Sequence, residues 1–137
     1  MKAWLFILFV IFHYSSISQV SDSCIGTKLK EIEIFPDING FSYKDSLYLN
    51  TEAFNDRMEL SFSNSKIDIC GYKILINCKG CDIVEFSVCG STVSEKHLKW
   101  LNTSFATKSV WLEFYDITVN IQGQKYFAHP FIVFPIK

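Results

Sequence analysis

Ile67-Asp68-Ile69-Cys70-Gly71-Tyr72-Lys73-Ile74-Leu75-Ile76-Asn77, then Cys78-Lys79-Gly80-Cys81-Asp82, then Ile83-Val84-Glu85-Phe86-Ser87-Val88-Cys89, read together as a β-hairpin. Both arms are rich in β-branched and aromatic residues, which pack well on a pleated surface. Lys79-Gly80 supplies a turn. If that turn has two residues, paired positions have numbers adding to 159, which holds for Cys78 with Cys81 and for Cys70 with Cys89. Cα atoms of opposed residues lie about 4.5–5.5 Å apart, inside the disulfide window of roughly 4.4–6.8 Å. Two cross-strand disulfides, Cys70–Cys89 and Cys78–Cys81, are therefore expected. The scheme depends on register, and a slip of one residue breaks it. Cys24 is left over, as a free thiol or an intermolecular bridge.

Two sharper readings compete for the same cysteines. Cys78-Lys79-Gly80-Cys81 has the spacing of a redox pair, so a secreted thiol–disulfide protein is the alternative function. Such pairs usually sit at a helix start, where the thiol pKa is lowered, whereas this one sits in a strand turn. A four-cysteine zinc site fits poorly. Cys70 and Cys78 stand about 26 Å apart along an extended strand, while zinc needs every sulfur at about 2.3 Å. No metal and no cofactor is expected.

Strands continue on both sides of the hairpin. Leu29 to Phe35 reads as a first strand, stopped by the turn residues Pro36-Asp37-Ile38-Asn39-Gly40. Leu47-Tyr48-Leu49 fits a strand, with Thr51 to Arg57 as loop. Met58 to Phe62 alternates as a half-buried strand should. The one helix expected lies near residues 94–102, capped by Ser94, whose hydroxyl can accept a free N–H of the first turn. Leu98 and Leu101, with Trp100 beside them, give it an apolar side. Val110 to Ile121 is a long strand whose apolar residues fall on even numbers to Phe114 and on odd numbers from Ile117. That change of parity predicts a bulge near Tyr115-Asp116. After Gln122-Gly123 a last strand runs from Tyr126 to Ile136. Pro130 and Pro135 cannot donate to a ladder, which predicts an edge position for it. About seven strands and one short helix imply an all-β fold, an immunoglobulin-like β-sandwich.

The N-terminus sets the compartment. Lys2 precedes an unbroken apolar run from Trp4 to Phe12, followed by the small polar residues Ser15-Ser16-Ile17-Ser18. That layout is a secretory signal, with cleavage expected near Ser18/Gln19. The apolar run is shorter than the about 20 residues of a membrane-spanning helix; an uncleaved anchor or a buried strand is the competing reading. The expected organisation is a signal peptide at 1–18, a mobile stretch at 19–27 and one domain at 28–137, with no membrane span after cleavage. Cleavage removes Lys2 and leaves 12 basic residues against 14 acidic ones. No basic run tracks a phosphate backbone, so nucleic acid is not an expected partner.

Catalytic signatures are missing from the sequence. There is no Gly-x-Ser-x-Gly elbow, phosphate loop or His-Glu-x-x-His. His97 and His129 have no neighbours at metal-ligand spacing and suit a solvated surface. The expectation is a chain that is not an enzyme. Asn102-Thr103-Ser104 matches a glycosylation sequon, which matters only in a eukaryotic secretory pathway.

The second half has a recognisable pattern. Tyr72-Lys73-Ile74-Leu75-Ile76 is followed by Val84-Glu85-Phe86-Ser87-Val88, the small residues Gly90-Ser91 and a short helix from Ser94 to Leu101. Phe114-Tyr115-Asp116-Ile117-Thr118-Val119 and the apolar end Pro130-Phe131-Ile132-Val133-Phe134-Pro135-Ile136-Lys137 come after them. In type and order this resembles the C-terminal periplasmic domain of the gliding-motility protein GldM, a component of the type IX secretion machinery of Bacteroidetes. The resemblance runs from about Gly71 to the end. It implies an immunoglobulin-like sandwich used for protein contact. The cysteines are not part of that pattern, and the large GldM protein also carries a membrane helix and further domains.

The function expected from these readings is non-catalytic protein–protein contact at the cell envelope, related to gliding or type IX secretion. The partner is another protein, either a second copy in a dimer or a cell-envelope complex. The place is periplasmic, cell-envelope or extracellular. Phe131, Ile132, Val133, Phe134 and Ile136 form the expected interaction edge, suited to strand addition.

Overall fold

The computed structural model describes residues 29–42, 46–107 and 109–136. The signal peptide expected at 1–18, the stretch 19–27 and Cys24 lie outside the described residues. In chain order the elements are β1 (Asp37–Ile38), β2 (Ser46–Asn50), a 3-10 turn (Thr51–Phe54), β3 (Leu60–Ser61), β4 (Ile67–Cys78) and β5 (Val84–Cys89). They continue with α1 (Glu95–Thr107), β6 (Val110–Ile121), β7 (Gln124–Phe127) and β8 (Phe131–Ile136). The main sheet has the order β2-β8-β6-β4-β5, with β7 also pairing β6, and β1 pairs β3 in a second, small sheet. The fold is mostly β and sandwich-like, as its strand-rich sequence predicts.

Alternation along the strands builds the core. Successive side chains of a strand point to opposite faces. Tyr72, Ile74 and Ile76 of β4 are buried, and so are Leu112 and Phe114 of β6, Phe131 and Val133 of β8, and Val88 of β5. Register aligns them: Ile74 lies opposite both Phe114 and Phe86, and Leu112 opposite both Ile76 and Val133. The layer packed with them in the same cluster comes from Ile38, Phe54, Met58, Leu60, Leu98, Leu101 and Phe105. Each such side chain contributes about 1.5–3 kcal/mol by leaving water. Tyr72 is buried whole because its hydroxyl donates to the Ser91 carbonyl at 3.0 Å. Burial also pushes that hydroxyl's pKa well above the ordinary tyrosine value.

Helix α1 starts where Ser94 predicts. The Ser94 hydroxyl accepts from the His97 N–H at 3.3 Å, and its carbonyl accepts from the Leu98 N–H at 2.9 Å. The helix runs five residues past the expected end at 102. Phe105 extends the buried row of Leu98 and Leu101, and its ring meets Phe54 at 5.8 Å. The intervening hydroxyls do not stop it, because Thr103, Ser104 and Thr107 each donate back to a carbonyl one turn earlier.

The bulge predicted at Tyr115-Asp116 is present. Gly71 lies opposite Thr118 and Lys73 opposite Tyr115, so β6 carries one extra residue there, and Asp116 has φ 47°. The Lys73 ammonium sits 3.2 Å from the Asp116 carboxylate. A second irregularity offsets the first: Ile69 lies opposite Val119 and Gly71 opposite Thr118, which leaves Cys70 as an extra residue on β4.

Two strand expectations are corrected. Residues 29–35 form no ladder; they meet the β7–β8 link through a single Glu31–Phe127 bridge. Hydrogen bonds from Ile32 N–H to Phe127 and from His129 N–H to Ile34, each 2.9 Å, tie them there. The last strand is not an edge. β8 is paired on one side by β2 in parallel and on the other by β6 in antiparallel. Pro135 is accommodated because the ladder to β6 ends at Val133, so at Pro135 the strand has a neighbour on one side only.

Candidate functional site

The sheet order ends in two outer strands, β2 and β5, and the short β7, off that path, pairs β6 alone. β5 is the longer, with six residues, and pairs only β4. Its open side can be worked out from the ladder. The Gly90 N–H donates to the Cys70 carbonyl at 2.7 Å, and antiparallel pairing alternates residue by residue. Val88, Phe86 and Val84 therefore turn their backbone groups toward β4, while Glu85 and Ser87 turn theirs away from it. Edge strands of this kind are usually protected by lysine, proline or a bulge. β5 has no lysine, no proline and a continuous register from Gly71–Cys89 to Ile76–Val84.

Apolar side chains collect at the start of this edge. Ile83 is 64% exposed, Val84 37% and Trp100 of α1 42%. Beneath them is a cleft of about 390 Å³ lined by Ile76, Cys78, Gly80, Cys81, Val84, Trp100 and Val110 together with the polar Asp82 and Ser104. Farther along, the ring of His97 stacks on Phe86 with centroids 4.4 Å apart, so this histidine covers an aromatic ring of the edge strand. On the opposite sheet face the Tyr115 hydroxyl donates to the Glu85 carboxylate. Burial, then that bond and the nearby carboxylates, raise the Tyr115 pKa well above the ordinary tyrosine value. An open backbone edge beside a cleft of mixed apolar and polar lining is an arrangement that can capture an extended chain: main-chain bonds hold it and the cleft selects a side chain.

The predicted site residues are distributed differently. Phe131 and Val133 are core residues, Ile132 and Phe134 are half-buried, and only Ile136 is exposed, at 49%. The interaction edge expected there is occupied by β2. Cys78 and Cys81 form a disulfide with Cα atoms 5.6 Å apart, closing the turn. The Cys70–Cys89 bridge does not form. The turn from Cys78 to Val84 is longer than two residues, so paired numbers add to 160 and Gly71 takes the place opposite Cys89. Cys70 is a free thiol, while Cys89 is disulfide-bonded elsewhere. Cys24 lies outside the described residues. Trp100 and Val84 were read only as parts of a helix and a strand. Their shared cleft brings together residues far apart in the chain, which no local pattern reports.

The Cys78–Cys81 pair closes the end of β4 and stands apart from the first turn of α1, which begins at Glu95. It therefore does not open a helix, the place that redox pairs usually occupy. Peptide mapping of the unreduced protein is expected to return a Cys78–Cys81 bridge and an alkylatable Cys70. Cys89 is expected in a bridged peptide. Recovery of a Cys70–Cys89 peptide would contradict the register.

Among the described residues no helix is long and apolar enough to cross a membrane. Compared with protein-family models, curated proteins and solved structures, the chain matches none.

Proposed function

We propose that this chain is an exported, non-catalytic domain that mediates protein–protein contact at the cell envelope by strand addition at β5. The observation that carries the reading is the outward-turned backbone of Glu85 and Ser87 beside exposed Ile83, Val84 and Trp100. The N-terminal signal layout supports export. The resemblance to the GldM C-terminal domain supports an immunoglobulin-like contact module associated with gliding or type IX secretion. In this reading the Cys78–Cys81 disulfide holds the turn that frames the cleft, and its role is structural.

The test is Ser87→Pro. Its ring removes an N–H that points away from β4, so the β4–β5 ladder keeps all its bonds. Unfolding midpoints are expected to stay close to the parent's. A photo-reactive side chain at position 85 is expected to cross-link a partner, or a second copy, in envelopes of the producing cell. Proline at 87 is expected to weaken that association at least about tenfold, through one lost hydrogen bond and the clash of the ring. Cross-links that persist unchanged in the folded proline variant would sink the reading.

A further inference from the structure

The two faces of β5 carry different chemistry, and an added strand has to match both. The ladders set Leu75 opposite both Glu113 and Glu85, so these three stand in one row on the face away from α1. In the next row Lys73 lies between Tyr115 and Ser87. The Lys73 ammonium pairs with Asp116 at 3.2 Å, and Glu113 accepts from the Asn77 amide at 3.0 Å. Glu85 is exposed, and its carboxylate accepts from the Tyr115 hydroxyl. The two ion pairs among the described residues, Arg57–Glu59 and Lys73–Asp116, leave it out. The other face of the strand presents Val84, Phe86 and Val88, with the ring of His97 stacked on Phe86 and with Trp100 lining the same cleft as Val84.

We propose that the strand captured at β5 alternates basic and apolar residues, with a lysine or arginine opposite Glu85. The inference rests on the strand addition argued above and names the partner's chemistry. An added strand lies about 4.8 Å beyond β5, and its side chain opposite Glu85 shares that residue's face and meets its carboxylate. Covering a carboxylate takes water from it, which is unfavourable unless a partner group replaces the water. Opposite charges paired across strands stabilise a sheet, whereas like charges destabilise it. A glutamate in that place would meet Glu85, with Glu113 farther along the same row. On the other face the incoming side chains fall beside Val84 and Phe86, where apolar groups leave water. A second copy offering its own β5 does not fit, because Val84-Glu85-Phe86-Ser87-Val88-Cys89 has no basic residue. The occupant is a basic, alternating segment of another protein.

The test uses seven-residue peptides, capped at both ends, that alternate valine with lysine, glutamine or glutamate. A fourth has the composition of the lysine peptide with its lysines grouped together. Each is titrated into the purified chain, and binding is read from the NMR shifts of the backbone N–H groups at positions 85 and 87. The lysine peptide is expected to bind with a Kd at or below about 1 mM. It is expected to bind at least about threefold tighter than the glutamine peptide and about tenfold tighter than the glutamate peptide. The grouped peptide carries the same charge and is expected to bind at least about threefold more weakly than the alternating one. Glu85→Gln keeps an acceptor for the Tyr115 hydroxyl and is expected to bring the lysine and glutamine peptides within about twofold of each other. Equal binding of the lysine and glutamine peptides by the parent, a lysine preference that survives in Glu85→Gln, or a dimer formed through β5 overturns this inference. Strand addition itself still stands in those cases if Ser87→Pro weakens every peptide. If no peptide binds, if the grouped peptide binds as well as the alternating one, or if Ser87→Pro binds them all as the parent does, strand addition fails and this inference fails with it.

Discussion

Replacing Phe114 by alanine is expected to destabilise the protein by about 3–5 kcal/mol, enough to leave much of the chain unfolded at moderate temperature. Phe114 is fully buried in β6, with strands on both sides. Its ring stacks on Phe131 with centroids 4.5 Å apart and approaches Tyr72 at 5.9 Å. Removing it takes away the transfer free energy of a large side chain and leaves a void. Ile74 lies directly opposite in the neighbouring strand and, held by its own ladder, cannot move in to fill it. Phe114→Leu keeps most of the volume and is expected to cost less than half as much. Denaturant unfolding of both variants measures this, and a loss below about 1 kcal/mol for alanine would mean that the site collapses or that this ring is not central to the core.

Asn39→Ala is expected to cost about 3 kcal/mol, although the residue is only half-buried. Asn39 and Gly40 have φ 48° and 81°, and the N–H groups of Ile38 and Phe41 bond each other's carbonyls at 3.1 and 2.8 Å, closing a two-residue hairpin turn. From that turn the Asn39 amide reaches three backbone groups. Its Nδ2 donates to the Ala53 and Arg57 carbonyls, both at 2.7 Å, and its Oδ1 accepts from the Glu59 N–H at 2.9 Å. One side chain thereby fastens the hairpin to the 3-10 turn and to the chain entering β3. Each bond contributes about 1 kcal/mol net, and alanine adds the cost of a left-handed backbone, which asparagine tolerates. Asn39→Gly removes the bonds without the backbone cost, so it is expected to fall between parent and alanine. Equal losses for glycine and alanine would remove the backbone part of this account. A loss under about 1 kcal/mol for alanine would remove the staple itself.

These two residues differ in how far a sequence reader could have found them. Phe114 belongs to a run whose alternation is plain, and the parity change after it located the bulge correctly, because a bulge is the one device that reverses the faces of a strand. Asn39 was legible only as a turn residue, since its three partners lie 14 to 20 positions away. Register was misjudged for a similar reason. Lys79-Gly80 looks like a complete turn, but the Cys78–Cys81 bridge closes a longer one, and the resulting shift of one residue separates Cys70 from Cys89. The last strand was misplaced because proline excludes a ladder bond at one position, not a neighbour along the whole strand. The open edge of β5 follows from which strands are neighbours, and strand order depends on contacts between distant parts of the chain.

The parallel pairing of β2 with β8 has a consequence for how the molecule comes into being. Residue 46 is matched with residue 132, so the sheet cannot be completed until nearly the whole polypeptide is available. The β4–β5 hairpin can form early from local contacts, whereas β2 has to wait with an unpaired backbone for a strand from the far end. Pairings of such long separation slow folding, because the loop must close before any contact rewards it. During that interval the chain stays pliable, and the waiting backbone of β2 is open to any other strand that reaches it first.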